Sequence, residues 1–144
     1  MAHFARVNDD NIVVEVVPLG NKYCINPETG EEDEGTGQDW LIDFYYEILG
    51  PTRWIQTSYN NNFRCRYAGI GYHYIEEYDV FAPVKPFPSW ILNTENYGWE
   101  APSPEPTLEE SDKEKGYYWD WNEPKLRWML CTWDGGGEVG IAST

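Results

Sequence analysis

The sequence predicts a mainly β protein with one short helix, in which an antiparallel sheet precedes aromatic β-hairpins joined by proline-rich segments. Short β-branched and aromatic runs bounded by turn residues carry that expectation. Only one stretch of the 144 residues has helical apolar spacing, and Phe, Trp and Tyr reach 17% of the chain, far above ordinary usage. A chain of this length can bury a core within a single domain.

Residues 3–17 read as the first hairpin. His3-Phe4-Ala5-Arg6-Val7 forms one arm and Ile12-Val13-Val14-Glu15-Val16-Val17 the other. The Asn8-Asp9-Asp10-Asn11 turn between them uses side chains that tolerate left-handed backbone and bond locally. Pro18 and Gly20 are expected to end the second arm. Residues 25–38 read as an acidic, glycine-bearing loop without apolar periodicity. They lack the alternating Asp order of a calcium loop, so a solvated loop is expected. The helix is expected at 39–49. There Trp40, Leu41, Phe44, Tyr45, Ile48 and Leu49 form one apolar face, with Thr36 or Asp39 as cap and Gly50-Pro51 as stop. Such a face needs a sheet, and the first hairpin with the strand around Trp54-Ile55-Gln56-Thr57-Ser58 would supply it.

Beyond Phe63 the pattern becomes aromatic arm, polar turn, aromatic arm. Three such units run over 71–81, 89–100 and 117–129, and the proline stretches 83–88 and 102–106 separate them. Cross-strand aromatic pairs contribute roughly 0.2–1 kcal/mol each, and proline-rich segments run extended and semi-rigid. Lone hairpins are marginal in water, so these must pack on one another, on the N-terminal part or on a partner. The expected organisation is an N-terminal hairpin–helix–strand module over 1–72. A hairpin region with proline-rich linkers and a flexible C-terminal tail would fill 73–144.

Charge and chemistry narrow the function classes. With 25 acidic residues against 10 basic ones, the net charge is −15. Such a surface repels phosphate backbones, so neither nucleic acid nor an anionic membrane is an expected partner. The opening residues have no basic segment followed by an apolar one, as a signal peptide would, and apolar runs are far too short to span a bilayer. Cys24, Cys65 and Cys131 are odd in number and widely spaced, which suits neither a disulfide framework nor a zinc site. His3 and His73 are the only neutral-pH bases, and no nucleophile elbow or phosphate loop occurs. The Gly135-Gly136-Gly137 run lacks the Lys-Ser/Thr that a phosphate loop needs. The expectation is a protein that is not an enzyme and takes no metal or cofactor.

The aromatics are the candidate contact residues. Trp90, Trp99, Trp119, Trp121, Trp128 and Trp133 crowd the C-terminal half. Rigid rings remove much apolar area from water at an interface, and indole faces also stack on sugar rings. The expected contact set is Phe87, Trp90, Trp99, Trp119, Trp121 and Trp128, with proline-rich arms reaching over a neighbour and edge strands pairing across the boundary.

Five stretches taken in order, Met1-Ala2-His3-Phe4-Ala5, Trp54-Ile55-Gln56-Thr57-Ser58-Tyr59-Asn60, Tyr67-Ala68-Gly69-Ile70-Gly71-Tyr72, Lys85-Pro86-Phe87-Pro88-Ser89-Trp90 and Trp99-Glu100-Ala101-Pro102, span most of the chain. Together they resemble a family of small proteins encoded by tailed phages of marine cyanobacteria and other marine bacteria. Where such proteins commonly have a glycine-rich loop, this chain has Asn60-Asn61-Asn62-Phe63. The resemblance implies a virion-associated structural role, with synthesis in the host bacterial cytoplasm and no catalytic residues to carry over. The expected role is a capsid decoration (cement) protein. The alternative is a neck, tail or tail-fibre accessory protein with a glycan- or receptor-binding surface. The implied partners are capsid or tail subunits, a host-surface glycan in the second case, and further copies of the same chain.

Overall fold

A computed structural model describes residues 1–132 of the chain. The expected C-terminal tail and Trp133 lie outside the described residues. The fold is mainly β and built from antiparallel sheets. Its strands are β1 (Ala2–Val7), β2 (Val13–Leu19), β3 (Arg53–Thr57), β4 (His73–Ile75), β5 (Val80–Ala82), β6 (Ile91–Leu92), β7 (Trp99–Glu100), β8 (Tyr118–Asn122) and β9 (Arg127–Cys131). The main helix is α1 (Glu34–Leu49), and a short α2 (Glu110–Glu114) and a 3-10 turn (Asn21–Cys24) accompany it. The chain divides into two compact units. The first is Met1–Lys85 with Thr94–Gly98, and the second is Pro86–Asn93 with the chain from Trp99 onward.

The first unit is a three-layer stack. Its sheet has the order β2-β1-β3, and central β1 is buried on both faces, which is why its sequence does not alternate cleanly. On one face Phe4 and Trp54 pack with Leu19, Cys24 and Leu41 beneath α1. On the other, Ala5, Val7, Val13 and Ile55 pack with Ala68, Tyr74 and Phe81 beneath the β4–β5 hairpin. That hairpin therefore belongs to the first core, so the division falls between Lys85 and Pro86 rather than at residue 72.

The expected first hairpin is present. The Asn8 side chain accepts from the Asp10 and Ile12 amides at 2.9 and 3.0 Å. β2 runs through Pro18, which sits opposite His3, instead of stopping there. β2 is an edge strand, and the ladder alternation leaves the Pro18 nitrogen on its outer side, where no hydrogen bond is lost.

α1 begins five residues earlier than its apolar spacing predicts. Neither Thr36 nor Asp39 caps it. Asp33 does, accepting from the Thr36 amide and hydroxyl at 3.0 Å each. Gly35 and Gly37 in the first turn hide it from propensity-based reading. Gly37 is there because α1 lies almost on Phe4: a Cβ at this position would sit 2.5 Å from Phe4 Cζ and 3.0 Å from Cys24 Sγ. The packing line is consequently Gly37, Leu41 and Tyr45 against Phe4 and Trp54. Phe44 and Ile48 of the predicted face remain 61% and 82% exposed. The acidic loop shortens to 25–33, closed by an Ile25–Glu32 bridge and by the Asp33 amide donating to the Cys24 carbonyl at 2.9 Å.

Among the described residues no helix is long and apolar enough to cross a membrane.

Candidate functional site

The predicted contact residues lie in the second unit, whose framework is the β8–β9 hairpin. Its register sets Trp121 opposite Trp128 and Trp119 opposite Leu130. Residues directly opposite in an antiparallel pair share a face, so both pairs project to the same side. The Trp121 and Trp128 rings meet edge to face at 5.4 Å. Trp90, in the turn before β6, lies 6.2 Å from Trp121 and 6.1 Å from Trp128, and Phe87 lies 5.7 Å from Trp90. Four of the six predicted residues thus form one connected cluster of rings.

Their exposure separates core from surface. Trp121 is 5% exposed and belongs, with Met129, Leu130 and Cys131, to the buried set of this unit. It organises the surface from beneath instead of presenting itself. Phe87, Trp90, Trp99, Trp119 and Trp128 are half-buried.

Polar groups fix the cluster. The Glu123 carboxylate accepts from the Trp121 indole at 2.8 Å, from the Ser89 hydroxyl at 2.6 Å and from the Ser89 amide at 3.0 Å. One acidic side chain in the hairpin turn therefore ties the turn carrying Trp90 to the buried ring. Among the described residues, the buried indole N–H groups of Trp90 and Trp119 find no acceptor. Such groups are uncommon, because an unmet buried donor keeps its full desolvation cost.

Trp90, Trp99 and Trp128 line an open groove of about 570 Å³ together with residues 100–105. β7 supplies Trp99 and Glu100 from opposite β6, and Asn93 Nδ2 donates to Glu100 Oε1 at 2.7 Å. The Trp128 indole donates to the Ser103 carbonyl at 2.9 Å. Residues 102–105 therefore lie beside tryptophans of their own chain. Glu100 and Glu105 are the ionisable residues of the lining, and no base accompanies them. Sequence reasoning missed Ser103, Glu100, Glu105 and Glu123. Only Glu123, two residues from Trp121 and beside Pro124, sits where a turn acceptor could have been foreseen.

In the first unit the charged groups hold structure. Arg64 bridges Glu34, Asp79 and the Gln56 carbonyl. Burial opposes its charge, but hydrogen bonds and the charges of Glu34 and Asp79 outweigh this and hold its pKa above the ordinary arginine value. His3 stacks on Tyr59 at 5.5 Å and meets the edge of Tyr67 at 5.6 Å. His73 lies in β4, where burial and then the charge of Lys85 push its pKa down. Among the described residues no three His, Cys, Asp or Glu side chains are grouped to hold a metal ion.

No family model, curated protein or solved structure matches this chain.

Proposed function

We propose that this is a non-catalytic structural accessory protein of a tailed-phage virion, a capsid decoration protein that uses the second unit as its contact surface. The observation that carries this reading is the half-exposed ring set Phe87, Trp90, Trp99, Trp119 and Trp128. The unit bearing it buries Trp121, Met129, Leu130 and Cys131. Large rings left partly wet gain most when a partner completes their burial, and they dominate the energetics of such contacts. The net charge of −15 suits a particle surface held away from packaged DNA. The phage assignment rests on the five sequence stretches that resemble small proteins of marine tailed phages.

A neck, tail or tail-fibre position with a glycan- or receptor-binding surface is the second reading. Its support is the groove, where three indole rings adjoin the Glu100 and Glu105 carboxylates. Rings that stack on sugar faces and carboxylates that accept hydroxyl protons suit a carbohydrate.

Mass spectrometry of purified particles tests virion membership, and a cryo-EM map separates head from tail. Detection at a fixed copy number per particle is the expected result. Detection in infected-cell cytosol but never in particles would overturn it.

A further inference from the structure

We propose that the groove walled by Trp90, Trp99 and Trp128 recognises an extended, proline-rich peptide segment of a partner protein bearing a lysine or arginine. Residues 102–105 of this chain line it beside the three tryptophans. The inference deepens the contact-surface reading by naming the partner's chemistry.

The cis contact, an indole N–H on the carbonyl between two prolines, suggests the mode of recognition. Extended proline-rich segments are bound where flat aromatic side chains pack on the pyrrolidine rings. Such a backbone leaves its carbonyls unpaired, so an indole N–H can take one. Here Pro102 and Pro104 line the groove with the three tryptophans, and the Trp128 indole donates to the intervening Ser103 carbonyl at 2.9 Å. Trp90 adds an indole N–H that has no acceptor among the described residues. Proline also keeps the ordering cost of such a ligand low, because its φ is already set.

The cis segment is a poor ligand for this groove. It brings Glu105 to a lining that already contains Glu100, with no base among the lining residues. Residues 102–107 are also exposed, so little burial holds the arm in place. A segment with the same prolines but a basic residue in place of Glu105 keeps the ring and carbonyl contacts. It replaces carboxylate repulsion with attraction, and a cation near indole faces gains further. Charge complementarity therefore selects a basic proline-rich segment over a neutral or acidic one, and the weakly held arm can give way to it.

The test uses the full chain, labelled with nitrogen-15, so that each indole N–H gives its own signal. Two synthetic peptides serve as probes, Ala-Pro-Ser-Pro-Lys-Pro and Ala-Pro-Ser-Pro-Glu-Pro. The lysine peptide is expected to shift the Trp128 and Trp90 indole signals saturably. The glutamate peptide should bind roughly fivefold or more weakly, with the gap narrowing as salt is raised. Replacing Pro102 and Pro104 with glycine loosens the cis arm and should tighten lysine-peptide binding, and Trp128→Phe should weaken it. Three results would overturn the proposal: no saturable indole shift in either wild type or the arm variant, equal binding of the two peptides, or a response to neutral oligosaccharide alone. Particle localisation is a separate measurement. Peptide binding by a protein absent from particles would sink the virion reading only, and a particle-borne protein that binds neither peptide would sink this one only.

Discussion

Arg64 and Glu34 meet through two parallel contacts, Nη1 to Oε2 at 2.7 Å and Nη2 to Oε1 at 3.1 Å. The pair does more than neutralise charge. Glu34 Oε2 also accepts from the Gln56 amide at 2.7 Å, and Arg64 Nη1 donates to the Gln56 carbonyl at 2.8 Å. Gln38 Nε2 donates to the Trp54 carbonyl at 2.7 Å. The Trp54 carbonyl and the Gln56 amide and carbonyl, which face outward on edge strand β3, are thus bonded by side chains of the same chain. An open edge is a template for pairing with another molecule, and three of the outward groups of this one are already taken. Pairing of edge strands across a boundary, expected from sequence, is opposed at β3 by these bonds.

Arg64→Ala is therefore expected to destabilise the first unit by about 2 kcal/mol, the scale of a lost charge-assisted hydrogen bond. Arg64→Lys should recover little of it, because an ammonium cannot reproduce the two-pronged geometry. Urea unfolding is the measurement, with a lower midpoint at unchanged slope. Light scattering should show concentration-dependent association in Arg64→Ala, since the freed Gln56 carbonyl reopens the edge. Unchanged stability in Arg64→Ala would contradict the assignment.

The same arginine sets a pH response through Asp79, which accepts from Arg64 Nε at 2.8 Å and from the Tyr74 hydroxyl. Burial pushes the Asp79 pKa up, but these hydrogen bonds outweigh it and hold the carboxyl below its ordinary value of 3.8. A folded-state pKa below the unfolded one gives stability that is present above the unfolded value and lost as pH falls through the folded one. Tyr74 has the opposite shift, from 10.0 to about 12, through burial and then its bond to Asp79. Its contribution is present below pH 10 and fades as pH rises through 12. Absorbance titration of tyrosinate should show a tyrosine titrating near pH 12 that disappears in Tyr74→Phe. Asp79→Asn should bring that tyrosine down and flatten the acid limb of stability below about pH 4. An unchanged late tyrosine in Asp79→Asn would refute the coupling.

Gly37→Ala gives a test of sign. In an exposed helix the change stabilises by about 1 kcal/mol through backbone propensity. Here the added methyl would sit 2.5 Å from the ring of Phe4, which is fully buried and cannot swing away. Overpacking of this kind costs about 1–3 kcal/mol, so net destabilisation is expected in thermal or urea unfolding. A stabilised variant would mean that α1 stands further from the sheet.

These residues also mark what was legible beforehand. Every strand of the three aromatic hairpins and the first hairpin follows from alternation and turn chemistry, because those signals are local. The helix was legible where packing demands apolar residues and not at Glu34–Gln38, where Gly37 and the charge of Glu34 sit for tertiary reasons. Likewise, nothing near Arg64 in sequence points to Glu34, 30 residues away. The second face of the first sheet escaped notice because the β4–β5 hairpin resembles the other two hairpins, and only long-range packing tells them apart. In the second unit the ring cluster was legible from composition. The arm lying back on Trp128 was not, since a proline stretch states that it is extended but not what it lies against.

Glu123 offers the sharpest test of how the second unit holds its surface. Its carboxylate accepts from the Trp121 indole at 2.8 Å and from the Ser89 hydroxyl and amide at 2.6 and 3.0 Å. Glu123→Ala leaves the indole of a 5%-exposed ring without that acceptor and frees the turn that carries Trp90. An unmet buried donor costs about 1–3 kcal/mol, enough to matter in a unit whose buried set among the described residues is small. Two readouts separate this from general loss of stability. Near-ultraviolet circular dichroism should fall, because the Trp90–Trp121–Trp128 geometry supplies coupled indole signal. Urea unfolding should become biphasic, with the tryptophan-rich unit released first while the Arg64-locked sheet persists. Glu123→Gln keeps one acceptor oxygen for the indole and should lie between wild type and alanine. If Glu123→Ala leaves both the aromatic dichroism and a single transition unchanged, the carboxylate is not what positions Trp90. The ring contacts at 6.1 and 6.2 Å would then have to hold the surface unaided.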